Sequence, residues 1–595
     1  MRKPSAVVVL TSAAAFTFIA CLSWEDWDKQ FKRSAGWKDH DGGGSTYLPP
    51  VTGSGQGGRS LWVFGDGIFW RPGYTQPQNT APTSDVKGLV GNTIAIHAWM
   101  ANQNVWEVPL DGNLGFYGRI KANANPPGPA CGFTPRDWAA KCPVQKMNAA
   151  NDFPAGPSDT VGDAVSSTGG FIPGDADLDA NGDPIHFAWP KSAVYVSSPQ
   201  QPTPFNGGKK EAFLVEGFQM KKRADLGLVR LGFSIITGIE KGGPEAWSYL
   251  GVTDIPVDTS IHQISWGNSL YYDDVGDRIR IYGEIRRDFW SWKKDMVLAV
   301  ALSSSDIADS SRWWYAYQDS SAPCPPNEPV CRPCQSTYPG QPETWSACYA
   351  PIPPSTDWLK ARLKRVADNI AGDFTVDRIC YDALGENGRP SVTGEAGCAF
   401  VLVHGGFEMP NGCTPSLTQP ECALSVRDPS KANPRWIVVR TSGDDLSWPS
   451  SSHGSYGPKQ STYVTDIIGD SNDWDRRLLC GENAGRQVRQ TQAHDELSAP
   501  GTIAISWYIN AGPNQSNHLW VDGETNKVES TRKSNLRAGA LSLKNFRPWC
   551  TASGSCPSDA STQSCCGAAG QACCPWDDGA QCKAGLACDA QSICR

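Results

Sequence analysis

The 595-residue chain carries only eight histidines, which leaves little material for a histidine-rich metal centre. It has no G-x-S-x-G elbow, no H-E-x-x-H pair and no phosphate-cradling P-loop, so the chemistries that depend on those spacings are excluded. No run of lysine and arginine stands out, and the net charge is −8 with a pI near 5.6. A nucleic-acid partner needs a basic footprint, and there is none. Beyond the N-terminal stretch no segment is apolar enough to read as a membrane span. Long helical patterns are nearly absent: only 355–372, "STDWLKARLKRVADNIAG", predicts a helix, with Ser355 or Thr356 as cap and Gly372 near its stop. No clean internal repeat is visible, so periodicity gives no count of structural units.

What the chain does have is tryptophan (24), glycine (60) and proline (45) with modest charge. That mixture suits many short strands joined by ordered loops. From about 58 to 550, strand-like runs alternate with turn formers: "SLWVFGD", "NTIAIHAW", "IHFAW", "EAFLVEGFQM", "LGLVRLGFSIITG", "RIRIYGEIR", "DMVLAVALSS", "GCAFVLVHGGF", "PRWIVVRTS" and "TIAISWYIN". Strands without helices leave a sandwich, a barrel or a propeller, and nearly 500 residues are too many for one sandwich. The expected fold class is therefore all-β, with a propeller as the architecture that takes this length naturally.

The opening "MRKPSAVVVLTSAAAFTFIAC" has a basic start and an apolar stretch too short for a comfortable span. It predicts an export signal over 1–21 that ends in a lipobox-like Phe18-Ile19-Ala20-Cys21, with Phe18 where leucine is usual. Cys21 is then the lipidation site, or a free cysteine after ordinary cleavage. Of the 21 cysteines, removal of Cys21 leaves an even set: twelve from Cys131 to Cys550 and eight from Cys556 to Cys594. An even set suits a disulfide-bonded exported protein, with Cys131–Cys142 and Cys413–Cys422 as local pairings. Residues 22–57 have the composition of a linker or lead-in, 322–350 that of a stapled insertion, and 551–595 that of a small disulfide-rich module. The expected location is the cell surface, an outer membrane reached through the lipid anchor alone, or the exterior.

Candidate chemistry starts at "GGRSLWVFGDGIFW", residues 57–70. Alternation sets Leu61 and Val63 on one face and Trp62, Phe64 and Asp66 on the other. A carboxylate beside two aromatics is costly without a partner or a job. Asp66 is either a turn residue between two glycines or an acid at the mouth of a cavity. Glu216 interrupts the apolar "FLVEGFQM" and faces with Leu214 and Phe218, which fits an inward-facing acid or a structural salt bridge equally. Glu284 shares a face with Arg280, Tyr282 and Arg286, which makes either a sugar-binding surface or a solvated charge ladder. His494, Asp495 and Glu496 form a polar group before a strand, suited to a site or to a turn. Trp266 and the stretches "DFWSW" and "RWWYAY" offer flat faces for sugar rings or for packing between sheets. In "GDADLDANGDP", residues 174–184, Asp177, Asp179, Asn181 and Gly182 match the opening of a calcium loop, and Asp183 adds charge. Ala188 stands where an EF-hand glutamate belongs, so the loop is at most a partial calcium site of structural kind or an acidic turn.

"LWVFGDG" (61–67), "ISWGNSLYYDD" (264–274) with "RIRIYGE" (278–284), and "AHDELSAPGTIAISWYIN" (493–510) occur in an order that resembles bacterial five-bladed β-propeller domains related to glycoside hydrolases. That group includes bacterial endo-D-arabinanases and many members without assigned activity. The chain departs from the pattern at Asp495, where proline would stand, and at Trp507, which precedes the tyrosine. The tail resembles short cysteine-rich modules on exported proteins of some soil bacteria. The resemblance implies a propeller over 58–550 and hydrolysis of a polysaccharide or cell-wall glycan by carboxylates in an axial pocket. It places Asp66 as base or nucleophile, Glu216, Glu284 and Glu496 as contenders for the acid, and Trp266, His494 and Asp495 near the substrate. A glycan-binding or adhesion protein without turnover is the alternative.

Overall fold

The fold is known from a computed structural model, which describes residues 36–40, 44–65, 67–70, 86–90, 92–103, 114–119, 144–148, 153–154, 171–172, 186–203, 208–222, 228–255, 264–286, 293–316, 345–346, 363–372, 374–380, 398–406, 436–442, 448, 461–462, 487–497, 502–510, 519–521, 528–530, 535–542, 574–576 and 579–581. Among these residues the regular structure is strand, in antiparallel sheets, with a few short 3-10 turns. Five sheets carry the architecture. The first begins with Gly44–Leu48 and Gln56–Phe64, the second with His186–Val196 and the third with Ile264–Asp273; the fourth begins with Thr375–Cys380 and the fifth with Gln487–His494. In each, successive strands pair with their neighbours in chain order over the first three strands described.

Each inner sheet buries both faces, which is why its strands read as unbroken apolar runs. Leu61, Val63, Ile94 and Ile96 of the first sheet pack on Leu214, Phe218 and Ile236 of the second. The opposite face of the second, with Val215, Phe233 and Ile235, packs on Ile279, Ile281, Val297 and Trp313 of the third. Tyr282, Met296 and Leu298 turn the other way, onto Val376, Phe400 and Leu402 of the fourth. Strand alternation thus assigns neighbouring residues of one strand to two different cores.

The leading strands of the five sheets touch one another in cyclic order, the fifth returning to the first. Small hydroxyl side chains bond four of these junctions. Ser192 Oγ donates to the Gly267 carbonyl at 2.8 Å, and the Val376 amide donates to Ser269 Oγ at 2.9 Å. The Ala493 amide donates to Thr375 Oγ1 at 2.5 Å, and Ser45 Oγ meets His494 Nδ1 at 2.6 Å. The first and second sheets are held by Asn92, whose Nδ2 donates to the Ala188 carbonyl at 2.8 Å. Three leading strands also carry register shifts, between Pro190 and Ala193, Trp266 and Ser269, and Arg489 and Gln492. A bulge of this kind re-aims side chains that a regular ladder would bury or splay.

One expectation from sequence is corrected. Ala367–Ala371 is a strand paired with Lys293–Ala301, not part of a helix; residues 351–362 lie outside the described set. Leu363, Val366, Ala367 and Ile370 are all buried, and their spacing imitates a helix face, while only Ala367 and Ile370 lie in the strand that the third sheet takes at its edge. The first sheet also starts at Gly44, inside the stretch with linker composition.

Candidate acid site at the first–fifth sheet junction

The strand Gln487–His494 runs into a 3-10 turn, Asp495–Leu497. Leu497 is buried and anchors the turn, which sets His494 and Glu496 against the first sheet. His494 is 2% exposed, its ring 4.5 Å from that of Trp62. Its Nε2 lies 2.7 Å from Ser506 Oγ and its Nδ1 2.6 Å from Ser45 Oγ. Burial pushes its pKa down to about 3, so the imidazole is neutral near pH 7.

Glu496 is the centre of the arrangement. Its Oε1 accepts hydrogen bonds from Ser45 Oγ and, at 2.7 Å, from Ser60 Oγ. Its Oε2 is shut off from solvent and has no hydrogen-bond partner among the described residues. Burial pushes the carboxyl up to about 8, the charge of Asp495 and a side-chain hydrogen bond with it add to that, and the two serine bonds oppose it. Asp495 is exposed at the edge of the turn, and its Oδ1 accepts the Glu496 amide at 2.8 Å.

Asp377, on the leading strand of the fourth sheet, is the third acid. Burial, then the charges of Asp495 and Glu496, hold its carboxyl well above the ordinary range. Three carboxyl groups from two sheets therefore share one electrostatic environment, and two of them favour the protonated form. Sequence reading missed Asp377. The signal was the acid inside "FTVDRIC", the same kind of interruption that singles out Glu216.

The other expected site residues fall elsewhere. Asp66, the calcium-loop residues Asp177, Asp179, Asn181 and Asp183, and Cys21 lie outside the described residues, as do the cysteine pairs 131–142 and 413–422. Glu216 is 1% exposed on the face packed against the first sheet, in a row with Ala193 and Ser234. Glu284 is not on a solvated ladder. It is 7% exposed, its Oε1 2.5 Å from Lys294 Nζ and its Oε2 accepting Asn268 Nδ2 at 3.0 Å. Asn268 Oδ1 in turn accepts from Lys191 Nζ, which also reaches Ser265 Oγ at 2.5 Å. A carboxylate so matched to an ammonium is a structural ion pair. Trp266 offers no face to a sugar, because it is 2% exposed and packs on Trp313 and Tyr315 at 6.2 and 5.7 Å. His494 is likewise buried and touches the acid through Ser45 rather than facing solvent.

No family model matches the chain, and no curated protein matches it. Among solved structures it is similar to an N-acetylgalactosamine deacetylase from F. plautii in complex with blood group B trisaccharide. That likeness has 10% identity and a TM-score of 0.29, over 80% of this chain and 96% of that one. It is also similar to a leech intramolecular trans-sialidase complexed with 2,7-anhydro-Neu5Ac, at 9% identity and a TM-score of 0.24, over 85% of this chain and 59% of that one. Likenesses at these scores carry no argument about fold or activity.

Proposed function

We propose that the chain is an exported glycoside hydrolase on a five-bladed β-propeller, cleaving a polysaccharide or cell-wall glycan with carboxyl groups at the meeting of the leading strands. Support for the propeller is the cyclic contact of the five leading strands, with the first to fourth sheets packed face to face in turn. Support for the chemistry is the setting of Glu496, whose carboxyl is pushed up to about 8 by burial and by Asp495, with Oε1 held by Ser45 and Ser60. Glycoside cleavage needs such a protonated acid at the leaving oxygen and an ionised partner for water or for the anomeric carbon. Glu496 takes the first role. Asp66 takes the second in this proposal, and Asp377 is the contender if Asp66 is a turn residue. The lipid anchor at Cys21, the calcium loop at 174–184 and the cysteine-rich tail belong to the same reading as features of an exported protein.

The test is a screen of the purified full chain against plant, fungal and mycobacterial wall polysaccharides, with product sizes measured. Cleavage by the wild type that is lost in Glu496→Gln and Asp66→Asn supports the reading. Full activity in either variant on a verified substrate removes that residue from the chemistry.

The second reading is a glycan-binding protein without turnover. What favours it is that Ser45 and Ser60 tie Glu496 across the first and fifth sheets, the work of a closing clamp. Saturable glycan binding with no product would select it.

A further inference from the structure

Resting on the hydrolase reading, we propose that Ser45 and His494 are positioning residues that anchor Glu496 through Oε1 and so make Oε2 the oxygen that carries and gives up the proton. The direction of the bonds carries the inference. Each serine hydroxyl has one hydrogen to give. Ser45 and Ser60 both spend theirs on Glu496 Oε1. Ser45 then has only its lone pairs for His494 Nδ1, so the neutral ring must donate there. His494 Nε2 is left as acceptor, and Ser506 Oγ, 2.7 Å away and buried, supplies the hydrogen. The chain therefore runs one way, from Ser506 through His494 and Ser45 to Oε1. In that direction of the chain the proton of the neutral carboxyl belongs on Oε2; a proton on Oε1 would donate to Ser45 and run the chain the other way.

In the acid step, which needs the substrate to open a way to the solvent-closed Oε2, the Oε2–H bond breaks, the proton passes to the glycosidic oxygen, and the electron pair stays on the carboxylate. The two hydroxyl bonds to Oε1 then stabilise that anion, since hydrogen bonds to a charged acceptor outweigh those to a neutral one. The titratable neighbours are Asp495 on the same turn and Asp377 across from the fourth sheet; the strands of the first sheet bring the hydroxyls of Ser45 and Ser60.

The test uses the full chain labelled with ¹³C at glutamate carboxyls, and follows the Glu496 titration by NMR without substrate. Ser45→Ala and His494→Gln should raise its midpoint by about one pH unit, the worth of a hydrogen bond to a charged group. His494→Asn should keep the wild-type midpoint, because its amide stands where Nδ1 does and still donates to Ser45. An unmoved midpoint in Ser45→Ala and His494→Gln, or the same displacement in all three, overturns the proposal. Imidazole ¹⁵N spectra of the wild type give a readout that no folding defect can blur. The Nδ1–H tautomer is expected, and the Nε2–H tautomer refutes it. If the midpoints move as stated but no glycan is cleaved, the hydrolase reading falls and the positioning stands. If a glycan is cleaved and the midpoints stay put, the positioning falls alone.

Discussion

Ser60 of the first sheet donates a 2.7 Å hydrogen bond to Glu496 of the fifth, across 436 residues of chain. The acid that best fits a proton donor is thus also part of the junction where the last sheet meets the first. Stability and chemistry meet in one side chain, and pH separates them.

Glu496 holds its proton up to about pH 8 when folded, against 4.5 for the free side chain. A raised carboxyl binds its proton more tightly in the native state, so its contribution is fully present below pH 4.5 and is lost as pH rises through about 8. Each pH unit of that window removes about 1.4 kcal/mol from this source. The expected result is a wild-type urea midpoint that falls between pH 5 and pH 8. Glu496→Gln, whose amide oxygen still accepts from both serines, should show a flatter profile and exceed the wild type at pH 9. Parallel profiles for the two proteins would rule this out.

Asp377 and Glu496 interact through charge, each is pushed up by burial, and the Asp495 charge raises both. Asp495→Asn should therefore lower the Glu496 midpoint, read by NMR titration of the labelled protein. An unmoved midpoint would show that the Asp495 charge does not reach Glu496.

The buried pair Glu284–Lys294 gives a prediction that does not depend on chemistry. Gly372 packs its backbone over the pair, leaving no room there for a Cβ, so the ammonium has little freedom to leave. Lys294→Met strands a carboxylate in the core and should cost about 3–5 kcal/mol, while adding Glu284→Gln should recover most of it. A double-mutant cycle by urea denaturation measures the difference. Additive losses would mean that the pair is not coupled.

The strands were legible because burial on both faces writes itself as apolar runs, as in "DMVLAVALSS", whose alternate residues serve two cores. Ser45 was not legible. It lies in glycine-rich surroundings that look like linker, and the strand Gly44–Leu48 exists because Gln56–Phe64 completes its ladder. The helix expected through Ile370 failed for a related reason: spacing alone cannot tell a helix face from a loop followed by an edge strand. Glu284 looked solvated because its strand neighbours are basic, and the partner that buries it, Lys294, comes from the adjacent strand. Trp266 shows that a tryptophan beside a turn-forming glycine is as much a core residue as a platform. His494 and Glu496 stood out as a polar cluster, yet the bonds that hold Glu496 come from Ser45 and Ser60, more than 430 residues away.

At the Trp266–Gly267 pair a register shift bulges the third sheet's leading strand. Gly267 has φ +82°, a left-handed conformation that side chains with a Cβ rarely adopt. A Cβ there would also stand 3.1 Å from Phe233 Cε1, and Phe233 is fixed in the core between the second and third sheets. Gly267→Ala should destabilise the protein by about 2 kcal/mol from backbone strain and crowding together. Moving the bulge also moves Asn268, which bonds Glu284 Oε2 at 3.0 Å. Asn268→Ala should therefore cost less in the Gly267→Ala background than in the wild type, because the bond is already weakened. Urea denaturation of the two single variants and the double variant reads the coupling directly. Strict additivity would show that the glycine serves its own turn and nothing beyond it.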